Sequence, residues 1–195
     1  MKRLLATVVL LAGCSLPLAP PPADSTHTLT LAAQASVPPA APAGRTLQVV
    51  MTAAAPGYST SAMAYRPSEH ELRYYARHRW IDRPARLLGQ ALVDGLSAGG
   101  ARVLAAGSGT QPDYRLLVEL LAIEQDFTTR PSRMRLAVRV QLVRVSDRRL
   151  LGSQTLRLDQ VASSDDPAGG VSAAHALLER AVIQVAEFCR RLSDD

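Results

Sequence analysis

Lysine is almost missing from this chain: Lys2 is the only one among 22 basic residues. Aromatic residues are scarce too, at 4%, and cysteine occurs only as Cys14 and Cys189. Each scarcity excludes something. Two distant cysteines build neither a disulfide framework, nor a zinc site, nor a CxxC redox motif. The basic excess is small. Of the formal +5, Lys2 and Arg3 of the leader supply two charges, which leaves 20 basic against 17 acidic residues, or +3. That remainder is not the clustered basic face that nucleic acid requires, so no nucleic-acid partner is expected. A Gly-rich phosphate loop is lacking, since no clear helix follows Gly107-Ser108-Gly109. His27, His70, His78 and His175 are present, but none lies in a nucleophile-elbow context or beside a recognisable partner motif. Glu69-His70-Glu71 reads as a solvated loop, because alternate strand residues point to opposite faces and cannot converge on a metal. The expectation is a protein that is not an enzyme, with no catalytic residue, no metal and no cofactor.

What is present begins at the N-terminus. Met1-Lys2-Arg3 is basic, and Leu4 to Leu11 is an apolar run too short to span a bilayer as a helix of about 20 residues. It ends in Leu11-Ala12-Gly13-Cys14, the pattern of a bacterial lipobox. Residues 1–13 are then a signal peptide and Cys14 the lipidated N-terminus, held by acyl chains (palmitate among them) at about 0.8 kcal/mol per buried CH₂. Ser15 follows, not the aspartate that commonly retains such proteins in the inner membrane, so outer-membrane anchoring with the body in the periplasm is expected. Residues 14–44 are rich in Pro and Ala and read as an extended tether, with a short strand allowed at His27–Leu31. Residues 45–195 form the body, one domain at this length.

Within the body, Thr46 to Met51 is β-prone. Ala53 to Thr60, with Pro56-Gly57, reads as a loop. Leu72 to Trp80 alternates: Leu72, Tyr74, Ala76, His78 and Trp80 on one face, Arg73, Tyr75, Arg77 and Arg79 on the other. Asp82 is placed to cap a helix opening at Pro84, with Leu87, Leu88, Ala91, Leu92, Gly95 and Leu96 as its stripe and Gly99-Gly100 as its stop. Arg102 to Leu104 is a short strand. Asp113 to Phe127 is apolar on both faces, which suits a central or covered strand. Arg133 to Val145 alternates until its register slips at Arg144, as a bulge would cause. Ser146 to Arg149 turns the chain into a strand at Leu150 to Val161. Ser163 to Gly170 reads as a polar loop. A helix from about Ser172 to Leu192 carries Ala174, Leu177, Leu178, Ala181, Val182, Val185, Phe188, Cys189 and Leu192 on one stripe. The fold class is α+β: a two-layer sandwich of a mostly antiparallel sheet of about five to six strands, with two helices on one face.

Tyr65, Leu72-Arg73-Tyr74-Tyr75, Trp80 and Pro84, leading into Leu87-Leu88 and Leu92-Leu96, resemble the ABC-type transport auxiliary lipoprotein family. The likeness extends more loosely over Arg45 to Leu192. The resemblance implies an accessory lipoprotein of an Mce- or Pqi-type system that moves lipid between membranes. Its partners would be an Mce-domain protein with the associated ABC permease and ATPase, and its role non-catalytic docking or assembly at the outer membrane. The alternative is an assembly or pilot lipoprotein of a secretion or lipopolysaccharide-export apparatus. Tyr65, Arg73, Tyr75, Arg77 and Arg79 are the candidate partner surface, with Tyr74 and Trp80 packed under a helix. The Arg133/Arg135/Arg139 row is expected to pair with Glu119, Glu124 or Asp159 across strands. Exposed edge strands leave self-association open.

Overall fold

The computed structural model describes residues 23–31, 36–104 and 107–193. The expected signal peptide, Cys14 and Ser15 lie outside the described residues, so their roles stay expectations. Among the described residues, eight strands and two helices follow in the order β1 (Ser25–His27), β2 (Thr46–Ala54), β3 (Ala62–Ser68), β4 (Glu71–Trp80), α1 (Pro84–Ala98), β5 (Arg102–Leu104), β6 (Tyr114–Asp126), β7 (Arg133–Arg144), β8 (Arg149–Val161) and α2 (Pro167–Ser193). A 3-10 turn at Pro56–Tyr58 links β2 to β3.

The class is α+β as expected, but the sheet is larger than five to six strands and is mixed. β6 explains both differences. It is 13 residues long, so its one edge holds β2 along its first half and β3 along its end, both parallel. Its other edge pairs antiparallel with β7, and β7 with β8. β4 pairs antiparallel with β3. The three-residue strands β1 and β5 add parallel to β4 and β2; β5 falls at the expected Arg102–Leu104, while β1 is too short to leave a periodic pattern.

The core lies between this sheet and the helices. α1 packs over β2 and β5, α2 over β7 and β8, and the helices touch each other. β7 supplies Met134, Leu136, Val138, Val140 and Leu142 to the core, all at most 4% exposed. Every second residue of one face faces the helices, as the pleat requires. At β6 the same alternation runs through Leu116, Val118 and Leu120, then a bulge between Leu120 and Ala122 shifts it, so that Ile123 is the next core residue. The α2 stripe is buried as the periodicity predicts, apart from the half-buried Leu192. Each Leu, Val or Phe of the stripe contributes about 1.5–3 kcal/mol when fully buried. Cys189 is a buried free thiol on this stripe; burial pushes its pKa up to about 12.

Three boundaries differ from expectation. The body does not begin at residue 45: β1 pairs with β4, Leu29 and Ala40 are core residues, and the Val37 and Pro38 carbonyls lie against Gly99. Part of the expected tether is thus packed, because Leu29 and Ala40 are apolar enough to bury. α1 is not capped by the Asp82 side chain. Arg83 holds the cap position without a side-chain bond, while Asp82 accepts the Arg83 amide and pairs with Arg86. α2 starts at Pro167, inside the expected polar loop. Proline suits a first helical turn, and Asp166 accepts the Gly169 amide at 2.8 Å, so Gly169-Gly170 continue the helix instead of ending the loop.

Candidate functional site

One end of the sheet gathers the aromatic side chains. Four of the chain's eight aromatic residues, Tyr65, Tyr74, Tyr75 and Phe127, line an open dish of about 530 Å³ with Pro67, Ala76 and Arg130. The Tyr65 ring packs on Tyr75 at 4.7 Å between centroids and meets Phe127 edge-on at 6.0 Å. These are favourable aromatic geometries. Tyr74 is 45% exposed, and its hydroxyl donates to the Gly57 carbonyl at 3.0 Å, which fixes the ring. The Arg130 side chain is 80% exposed and reaches Asp165 at 3.4 Å.

A buried polar layer holds this dish in place. The bulge in β6 turns Gln125 toward the helices and Glu124 to the other face. Both are 1% exposed. Glu124 accepts the Tyr58 hydroxyl at 2.5 Å and the Arg66 guanidinium at 3.0 and 2.9 Å. Burial, then the bond to Glu124, pushes the Tyr58 pKa well above the usual phenol range. Gln125 accepts the Tyr75 hydroxyl at 2.9 Å and donates to Ser132 Oγ at 2.9 Å. Burial likewise raises the Tyr75 pKa. Asp126 accepts from the Thr128 amide and from Arg135. Asp165 accepts the Ser132 amide at 2.6 Å, and that bond holds its carboxyl below its usual range. The strand end and the start of α2 are therefore one hydrogen-bonded unit.

The outer edge of β4 carries a histidine pair. His27 Nε2 lies 3.1 Å from His78 Nδ1, with the rings stacked at 5.4 Å. One ring donates and the other accepts. Burial, and then the His78 charge, lowers the His27 pKa. His175 on α2 contacts the Thr28 carbonyl at 3.0 Å, so histidines from two elements hold the segment entering the body.

The expected partner residues are not presented as the alternation suggests. Tyr74, expected under a helix with Trp80, is exposed. Tyr75, expected outward, is half-buried with its hydroxyl bonded to Gln125. The cause is a bulge: Ala62 pairs with Arg79 but Ala64 pairs with Tyr74, so β4 inserts extra residues here. A slip of this kind reverses which face each side chain takes. Tyr65 and Tyr75 share the dish. Arg73 sits opposite Tyr65 and pairs with Glu71 at 2.5 Å. Arg77 and Arg79 are exposed along β4 outside the dish lining. Glu69 and His70 form the exposed turn of the β3–β4 hairpin. The arginine row of β7 pairs across strands as expected with Glu119 and Asp159; Arg135 takes Asp126, because Glu124 is held by Arg66. Phe127, Tyr58, Gln125 and Arg130 were not singled out by sequence, and Glu124 was read only as a cross-strand partner of the β7 arginines. A signal existed for Glu124 and Gln125: Glu124-Gln125-Asp126 continue an apolar strand with three polar residues, and buried polar runs of that kind need partners.

The geometry defines a class first: an α+β sandwich whose distinctive surface is an aromatic dish braced from below by a buried polar layer. A family model described as the ABC-type transport auxiliary lipoprotein component matches residues 27–186. The chain belongs to this family of lipoproteins, auxiliary components of ABC-type transport systems. Protein XCC0632 from Xanthomonas campestris is similar in structure, with a TM-score of 0.77 at 21% identity over 87% of this chain and 97% of that one. The crystal structure of a second, uncharacterized protein is similar with a TM-score of 0.68 at 14% identity, over 86% of this chain and 99% of that one. At such identities the likeness establishes the shared fold. No curated protein matches the chain.

Proposed function

We propose that this chain is a lipid-anchored periplasmic subunit that docks or assembles an Mce-type, Pqi-like intermembrane lipid transport system at the outer membrane. It performs no catalysis itself. Residues 1–13 are removed as the signal peptide, and Cys14 carries the lipid. The observation that carries the reading, beside the family, is the dish. Half of a very small aromatic complement is spent at one exposed end of the sheet, where aromatic rings dominate contact energetics. The polar side chains around it are engaged in structural pairing, with Tyr58, Arg66, Tyr75, Ser132 and Arg135 each bonded to a buried partner. That arrangement suits a rigid contact surface better than a site for proton transfer.

Membrane fractionation combined with affinity capture tests the reading. The protein should travel with the outer membrane, and gentle detergent extraction should recover an Mce-domain protein with it. Recovery from the inner membrane, or capture of secretion-apparatus components in place of an Mce-domain protein, would overturn the assignment.

A further inference from the structure

We propose that β1 is a proton-operated strap: it lies on the edge of β4 while His27 or His78 is neutral, and it lifts when both are charged. The latch is one bond between two titratable rings. His27 Nε2 stands 3.1 Å from His78 Nδ1. At that distance one nitrogen carries a hydrogen and the other offers its lone pair. A single shared proton keeps the bond. A second proton leaves two N–H groups facing each other and two positive charges on rings whose centroids are 5.4 Å apart, so the bond is lost and repulsion takes its place.

The ladder under this latch is short. β1 pairs with β4 only from Ser25 to His27, and the Ile81 amide donates to the His27 carbonyl at 2.8 Å. Three residues of ladder gain little over the entropy lost in ordering them, so the side-chain pair decides whether β1 stays. The next residues are held by other means. His175 on α2 donates to the Thr28 carbonyl at 3.0 Å, and an imidazole N–H donates in either charge state. Leu29 is 4% exposed and lines a small apolar cavity with Leu88, Leu177 and Leu178. Thr28 and Leu29 thus form the hinge, and β1 is the part that moves.

The surrounding groups set the direction. On β4, Tyr75 meets His78 edge-on at 6.0 Å; burial raises its pKa and keeps it neutral. At the entry to α2, the Asp166 carboxylate is within range of the His78 charge, but its bonds go to Ser164 and the Gly169 amide. It softens the repulsion without replacing the latch. Arg79 opposite Thr26, and Arg77 and Asp24 beside the pair, are exposed to solvent. β3 faces this part of β4 with Ala62. Burial, then the His78 charge, lowers the His27 pKa. The strapped form therefore binds fewer protons than the released form. The strap is firm above the ordinary histidine range and loosens as the pH falls below it. Release frees the β4 edge from His78 to Trp80, beside Tyr75 of the dish. The strap responds in this way whatever partner the dish meets.

Hydrogen exchange of the Ile81 amide, read by NMR on the full-length protein in detergent and divided by its intrinsic rate at each pH, tests the strap. Between about pH 7.5 and about pH 5 this corrected rate should rise about tenfold, from a lost bond and a like-charge contact. The Val138 and Val140 amides of β7 should keep their protection. His78→Asn retains a bonding atom near the Nδ1 place but takes no proton, so its Ile81 rate should stay flat over the same range. Should that variant not fold, His27→Gln, with a bonding atom near the Nε2 place, is read in the same way. His175→Gln should keep the rise. A flat wild-type rate, an equal rise in β7, a rise that persists without one of the paired histidines, or a rise abolished by His175→Gln would each overturn the proposal.

Discussion

Replacing Glu124 by alanine should destabilise the protein by about 3 kcal/mol, seen as a fall in Tm of about 6–12 °C for a chain of this size. Glu124 is 1% exposed and joins three elements: β6 that carries it, the turn that carries Tyr58, and β3 that carries Arg66. Alanine leaves a phenol hydroxyl and a guanidinium without their acceptor. Losing one member of a buried ion pair costs about 3–5 kcal/mol. The lower end applies because the Arg66 side chain is 30% exposed and can rehydrate. Glu124→Gln keeps the shape and one acceptor and should cost about 1–1.5 kcal/mol. Urea unfolding of both variants checks this. A cost below about 1 kcal/mol for alanine would mean that the pair does not clamp β3 to β6.

Gly170→Ala sets two rules against each other. Inside a helix, alanine is favoured over glycine by about 1 kcal/mol, so helix propensity alone predicts a gain. The neighbours predict a loss. A Cβ on Gly170 would stand 2.3 Å from Gln125 Oε1 and 2.8 Å from its Cδ. Gln125 cannot easily withdraw, being 1% exposed and bonded to Tyr75 and Ser132. Overpacking costs about 1–3 kcal/mol and each disrupted hydrogen bond about 1. The net expectation is a loss of about 2 kcal/mol, after the helical gain is subtracted. A double-mutant cycle separates the effects: in a Gln125→Ala background, the Gly170→Ala penalty should vanish. A penalty of the same size there would assign the loss to the helix backbone.

Much of the fold was legible in the sequence where one face is buried along a whole element. β7 alternates cleanly and α2 repeats at helical spacing, so their apolar faces could be read with no partner in view. The bulge expected in β7 near Arg144 falls instead on its neighbour: β7 keeps its register with β6 through Arg144, and the extra residue is Leu151 of β8, facing Leu142 and Val143. What stayed hidden depends on contacts distant in sequence. Nothing in β2 or β3 says that both lie parallel on one edge of β6. β5 was read with its observed bounds, but the three-residue β1 exists only because β4 offers an edge. Gly169-Gly170 reads as a helix break until Gln125 is seen filling the space beside it.

The dish was half legible. Tyr65, Tyr74 and Tyr75 stood out because aromatics are so scarce, but the bulge in β4 exchanged the exposures of Tyr74 and Tyr75. Strict alternation has no means of registering inserted residues whose only trace is the pairing with β3. Phe127 was read only as the end of the Asp113–Phe127 strand, and Arg130 lies in the turn after β6, where no periodicity marks it.

Affinity capture from membranes, comparing the wild-type chain with a Tyr65→Ala/Tyr74→Ala variant, tests the account most directly. Aromatic residues at the centre of a contact each contribute about 2 kcal/mol or more. The variant should therefore still fold and reach its membrane, yet lose at least about 90% of its captured transport-system partner. Capture at the wild-type level by a folded variant would contradict the claim that the aromatic dish is where this lipoprotein meets its partner.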